Sequence, residues 1–226
     1  MFNWLLQLSV ADQLYLSLLL TVLIILLFRY RVLEYNLRPM LLLTAVHLLA
    51  ELTADSLHYV YRQNNIIVYH FLAPIEYVIV AIIFYRTFGE AWLRKVVLWS
   101  IPAYIVVVLL LELFWEPPNQ NNSLAYLIES LLIVYWCFSY FRNLLNRDGG
   151  YRPEKDRTFW FVIALLFYFI GNFFILGTMN YFVQNDRELG ARLYYAGYAF
   201  YYLLYTTMGV ICLLRFPVPA YDHYDK

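Results

Sequence analysis

The sequence predicts an all-α, polytopic membrane protein: a single bundle of seven transmembrane helices spanning 1–226. Three observations predict it. The chain is 63% hydrophobic, 20% aromatic and only 14% charged, against about 45–50% apolar and about 25% charged in soluble domains. Seven apolar runs each approach the roughly 20 residues needed to cross a bilayer. The basic residues fall almost wholly to one side of those runs.

The runs are taken in order. The first covers 13–28 and the second 40–61, opened by Pro39, whose missing N–H costs nothing in a first helical turn. The third covers 66–88 and the fourth 95–115. A turn-rich break over 115–123 leads to the fifth run, 123–144. A second break over 148–153 leads to the sixth, 158–182, and the seventh covers 193–216. The runs are too long and continuous for barrel strands of ~10 alternating residues.

Threading the seven spans puts Arg29, Arg31, Arg38, Arg86, Arg94, Lys95, Arg142, Arg147, Arg152, Lys155, Arg157, Arg215 and Lys226 on one side. Arg62, Arg187 and Arg192 fall on the other, a ratio of 13 to 3. Positive residues stay inside, so the N-terminus is expected outside and the C-terminus inside. The start of the chain lacks a basic segment and a cleavage site, and reads as mature protein. Sixteen basic residues balance sixteen acidic ones, so nothing points to nucleic acid. The connecting segments are short. Function is therefore expected within or at the edge of the bundle, with the lipid bilayer as surroundings. The basic inner loops around 86–95 and 142–157 are the expected contact for a cytoplasmic or membrane signalling partner.

Ionisable residues inside spans are costly and mark functional sites. The second span holds His47, Glu51, Asp55 and His58. At 100° per residue they fall at roughly 0°, 40°, 80° and 20°, one stripe that must face the bundle interior. The third span holds His70 and Glu76, about 120° apart unless Pro74 distorts the helix. The fifth holds Glu129 and the sixth Asn172. Counted from the outer end, His58 and His70 lie about 5 Å deep, Asp55 and Glu129 about 9 Å, and Glu51 and Glu76 about 15 Å. Asn172 has a similar depth to the last pair, while the inner half holds only His47. These residues predict an outward-opening acidic, histidine-lined cavity between spans two, three, five, six and seven. No Lys or Arg lies deep in any span to balance the acids. They hold protons, or histidinium, a metal ion or a cationic ligand compensates them. The bland alternative is a network of hydrogen bonds that only fastens helices.

Cofactor chemistry stays unassigned. His58, His70, Asp55 and Glu51 are suitable zinc-type ligands, but no HxxxH or HExxH spacing supports them. Haem ligation would rest on the His58 and His70 pair alone. Retinal is disfavoured because the seventh span has no lysine for a Schiff base. Cys137 and Cys212 sit inside apolar runs with no CxxC spacing and read as packing residues. No GxSxG motif occurs. The seventh-span tyrosines Tyr194, Tyr195, Tyr198, Tyr201, Tyr202 and Tyr205 read as an aromatic belt and, for most of the deeper ones, packing, with hydroxyl donation to a cavity as the alternative for some. A 3+1+3 tandem repeat aligns Tyr15 with Tyr126, Arg31 with Arg142 and Glu51 with Asn172. These matches are few and involve residue types common at helix ends, so chance agreement is the leading reading and a repeat the alternative.

The opening of the third span, Asn64-Asn65 followed by His70 and Glu76, together with Glu51 in the second, resembles small seven-helix membrane proteins of Bacteroidota-type bacteria. That family has no established activity to carry over. Its members look like membrane sensor or accessory proteins, which implies a bacterial inner membrane. The expected function is sensing: a small ligand, ion or proton entering from outside changes the charge state of the polar set. A proton-coupled or small-solute transporter, a metal-dependent intramembrane enzyme and a purely structural subunit are the alternatives.

Overall fold

The computed structural model describes residues 8–116, 120–146 and 152–214. Arg147, Arg215, Lys226 and most of the 148–153 break lie outside the described residues, as do Pro117 and Pro118. The described residues are helical and contain no strand. Helices α1 (Val10–Arg29), α2 (Met40–Asp55), α3 (Ile66–Thr87), α4 (Ala91–Phe114) and α5 (Ser123–Leu145) are followed by α6 (Arg157–Ile175), a short α7 (Met179–Asn185) and α8 (Arg187–Leu213). Seven segments are long and apolar enough to cross a membrane, α6 and α7 together making one. The chain thus has the make-up of a multi-pass membrane protein.

Helix starts follow from local chemistry. Ser9 caps α1 by accepting the Asp12 N–H at 3.2 Å, and Asp156 caps α6 by accepting the Thr158 N–H at 2.7 Å. Asp186 caps α8 through the Leu189 N–H at 3.0 Å. Each carboxylate or hydroxyl satisfies an N–H that a first turn leaves open. At the other end of α8, Arg29 Nε donates to the Cys212 carbonyl at 3.2 Å and Arg157 Nε to the Ile211 carbonyl at 3.0 Å. Two guanidinium groups thereby close a helix C-terminus whose carbonyls have no partner of their own. Cys137 and Cys212 are buried and unbridged.

The helices pack in a closed ring, α1–α2–α3–α5–α6–α8 and back to α1. Helix α4 stands outside it against α3 and α5, and is the least buried span. Its outward face presents Trp99, Val106, Leu109 and Leu113, the apolar surface that a lipid-facing helix shows. The ring order sets the first three spans and the last three as consecutive arcs, with the fourth excluded. That is the arrangement a 3+1+3 repeat produces, although the sequence matches alone carry little weight.

Two departures from the expected spans matter. The last residues of α2 wind into a π turn over Ser56–Val60, and the turn that follows places Arg62 in the left-handed region at φ 56°. The sixth span breaks after Ile175, and the short helix α7 that follows packs against α8. One end of the ring carries the basic segments 29–38, 86–95 and 152–157. The other, formed by 56–66, 120–126 and 176–194, surrounds a cavity.

Candidate functional site

The cavity holds roughly 260 Å³. Five ring helices and the turn after α6 contribute to its wall: Tyr15 from α1, Glu51 from α2, Tyr69 from α3, Tyr126 from α5, Leu176 from the turn, and Tyr194, Tyr198 and Tyr201 from α8. Asn65, Asn121, Asn122 and Ser123 complete the rim. Among the described residues, no lysine, arginine or histidine lines it.

Glu51 is held by α3, since the Tyr69 hydroxyl donates to its Oε2 at 3.1 Å. The Tyr15 ring lies at the centre of an aromatic cluster. Its centroid is 5.1 Å from that of Tyr201 and 5.8 Å from that of Tyr198. Tyr198 in turn donates its hydroxyl to the Asp12 carboxylate, fixing α8 to α1. Several polar atoms of the wall have no partner. The Tyr15 hydroxyl and both the amide nitrogen and oxygen of Asn122 are buried without a hydrogen bond, a state that buried polar groups avoid unless something else satisfies them. At the rim, the Glu116 carboxylate accepts the Leu124 N–H at 2.9 Å and the Asn180 side-chain N–H at 3.0 Å. It ties the start of α5 to α7. Burial lifts the Glu116 carboxyl above its usual range, against the lowering effect of the Leu124, Ala125 and Ser123 backbone N–H groups and of His70.

Below the cavity lies a second, closed tier. His47 Nε2 is 3.3 Å from Glu76 Oε1, with both side chains 2% exposed. The two groups are at ion-pair distance but lack hydrogen-bond alignment, and both remain without a hydrogen-bonding partner there. Glu129 is fully buried, with neither oxygen hydrogen-bonded, and Glu76 is its electrostatic neighbour. Asn172 is 2% exposed and its amide nitrogen has no partner.

The structure therefore divides the predicted set. Of the seven candidates only Glu51 lines the cavity. Glu76, Glu129 and Asn172 belong to the buried tier. His70 faces α4 instead. Its Nδ1 is 3.0 Å from Glu112 and its Nε2 is 2.9 Å from the Gln120 carbonyl. The 120° between His70 and Glu76 persists because α3 stays helical through Pro74. His58 is exposed in the π turn, its ring packed on Tyr59 at 4.8 Å. The wider turn carries it off the stripe that ideal helical geometry predicts. Asp55 is half-buried and has Asp12 of α1 as its electrostatic neighbour. Each i to i+4 step advances about 40°, so the stripe drifts from α3 toward α1 as α2 rises. The expected histidine lining is corrected by these placements. Among the described residues no group of three or more His, Cys, Asp or Glu side chains is placed to hold a metal ion.

Of the seventh-span tyrosines, three line the cavity, the use that the sequence leaves as the alternative to packing. Tyr194, Tyr198 and Tyr201 are spaced i, i+4, i+7, which is one helix face, and that spacing was the available signal. For Asn122 the sequence offers no comparable cue, whereas Glu112, the partner of His70, lies inside the fourth run and carries the same signal as the other intramembrane acids. Comparison with known proteins returns no matching family model, curated protein or solved structure.

Proposed function

We propose that the chain is a receptor-like sensor of a bacterial inner membrane, whose cavity opens outward and binds a small cationic ligand bearing N–H groups. One observation carries this reading: the carboxylate of Glu51 shares its wall with six tyrosines and, among the described residues, with no basic side chain. A carboxylate with aromatic faces around it favours ammonium groups, by charge and by cation–π attraction of about 0.5–2 kcal/mol. The unpartnered Asn122 amide and Tyr15 hydroxyl supply further hydrogen bonds. The volume suits a molecule of few heavy atoms, since pockets for drug-sized ligands run from about 300 Å³ upward. Ligand on Glu51 competes with the Tyr69 hydroxyl, the contact joining α2 to α3. Loosening it gives α3 a route to the basic loop over 86–95, where a signalling partner would read the change.

Calorimetric titration of the purified protein with ethylammonium, and with ethanol as its neutral match, tests the reading. Ethylammonium is expected to bind and ethanol to fail, with the preference lost in Glu51→Gln. Equal binding of both probes overturns it.

A carrier is the second reading. It is favoured by the ring order and by Tyr15 and Tyr126, an aligned pair of the 3+1+3 repeat, which both line the cavity. Uptake of labelled ethylammonium into proteoliposomes supports the carrier, and binding without uptake supports the sensor.

A further inference from the structure

A second hollow lies at the opposite, basic end, on the outside of the ring where α1, α2 and α3 meet. It measures roughly 540 Å³. Its wall is aliphatic, with Leu27, Leu42 and Ile82 among its members, and its mouth carries Arg38, Arg86 and Tyr30. Among the described residues, no acidic side chain lines it.

Both arginines are held in place. Arg86 donates through Nη1 to the Tyr35 carbonyl at 3.2 Å, and its guanidinium lies 4.2 Å from the centroid of the Tyr35 ring. Arg38 donates through Nε to the Leu33 carbonyl at 3.4 Å and lies 5.6 Å from the Tyr30 ring centroid. A guanidinium has five N–H donors, so each contact leaves most of them open. Neither arginine meets a carboxylate among the described residues. The one acid of the connecting segment, Glu34, points to α6 instead, with Arg157 at 3.8 Å and the Thr158 hydroxyl at 3.5 Å. Two fixed cations over an apolar channel, with the local acid engaged elsewhere, form a site with a charged head and a greasy floor.

We propose that this groove binds an anionic phospholipid, its phosphate between Arg38 and Arg86 and its acyl chains along Leu27, Leu42 and Ile82. The open N–H groups of a guanidinium match phosphate oxygens in a fork that an ammonium cannot reproduce. Basic pockets between spans at the positive end of a bundle take such headgroups. A free phosphate would use the mouth and leave the aliphatic channel empty, which is why a lipid is the occupant that uses the whole surface. The inference is independent of the cavity at the other end.

Native mass spectrometry of the detergent-purified protein, titrated with phosphatidylglycerol or with phosphatidylcholine of the same chains, tests it. The wild type should prefer phosphatidylglycerol. Arg38→Gln with Arg86→Gln should weaken phosphatidylglycerol by about 30-fold, the weight of two basic residues at an anionic surface, and leave phosphatidylcholine unchanged. The control Arg31→Gln with Lys95→Gln removes equal charge from exposed positions outside the groove, and should keep the preference. Leu42→Trp fills the channel with both guanidinium groups intact and should lower phosphatidylglycerol occupancy. Its outcome remains informative if the arginine pair proves necessary for folding. Equal binding of the two lipids by the wild type, an equal loss in the control, or full occupancy in Leu42→Trp overturns the proposal. So does equal competition by glycerol 3-phosphate, which would identify a phosphate site alone.

Discussion

Nε2 of His47 stands 3.3 Å from Oε1 of Glu76, the two side chains sealed between α2 and α3 with 2% exposure each. Glu129 lies beyond Glu76 with no hydrogen bond to either of its oxygens. Removing one member of a buried pair leaves an uncompensated group, while replacing both with apolar side chains removes the problem. His47→Leu is therefore expected to destabilise the protein by about 3–5 kcal/mol. His47→Leu with Glu76→Met should recover most of that loss. Unfolding of the single and double variants in detergent, read as a double-mutant cycle, measures the coupling.

Tyr15 should separate stability from binding. Its hydroxyl is buried at the cavity wall without a partner. Tyr15→Phe is expected to leave the ligand-free protein as stable or slightly more so. It should also weaken ethylammonium by about fivefold, the value of one ordinary hydrogen bond. Melting temperature and titration calorimetry on the same preparation give the two signs. Loss of stability without loss of affinity would assign the hydroxyl to packing.

Gly171 of α6 lies directly against the Phe200 ring of α8. A Cβ placed there would lie 2.5 Å from the ring of Phe200, well inside van der Waals contact. Gly171→Ala should cost about 1–3 kcal/mol by overpacking, and Phe200→Leu in the same chain should restore part of it. Thermal unfolding of the two variants decides.

Glu34 predicts a pH effect at the basic end. Burial is the main reason its carboxyl sits above the usual range, with the neighbouring Asp156 adding to it and Arg157 and the Thr158 hydroxyl opposing. A raised folded value means that the fold holds this proton more tightly than the unfolded chain does. The associated stability is fully present below the ordinary glutamate range and is lost as pH rises through the raised value. Glu34→Gln should remove that loss. The difference in melting temperature between wild type and variant should thus grow in the variant's favour as pH climbs from about 4.3. A flat difference across the scan contradicts it.

The spans were legible because crossing a bilayer demands one property, a long unbroken apolar run, that each segment carries by itself. Predicted starts at 40, 66 and 123 coincide with those of α2, α3 and α5. The π turn at Ser56–Val60 and the break after Ile175 were invisible, because both arise where a helix end meets its neighbours. The polar site was legible only in part. Helical periodicity placed Glu51 on an inward face and it is inward, but periodicity is silent on which neighbour that face meets. His70 and Glu76 sit on one helix and are handed to different partners, Glu112 of α4 and His47 of α2.

By itself, then, the amino-acid sequence determined the number of spans, their apolar character and the presence of unbalanced polar groups among them. Each of these is a property of one segment and its solvent. Only the tertiary structure decided that α4 stands outside the ring, that tyrosines and Glu51 share a hollow, and that His47, Glu76 and Glu129 lie closed beneath it. Those outcomes depend on the order and rotation of helices about one another, which pairwise packing sets and no single segment encodes.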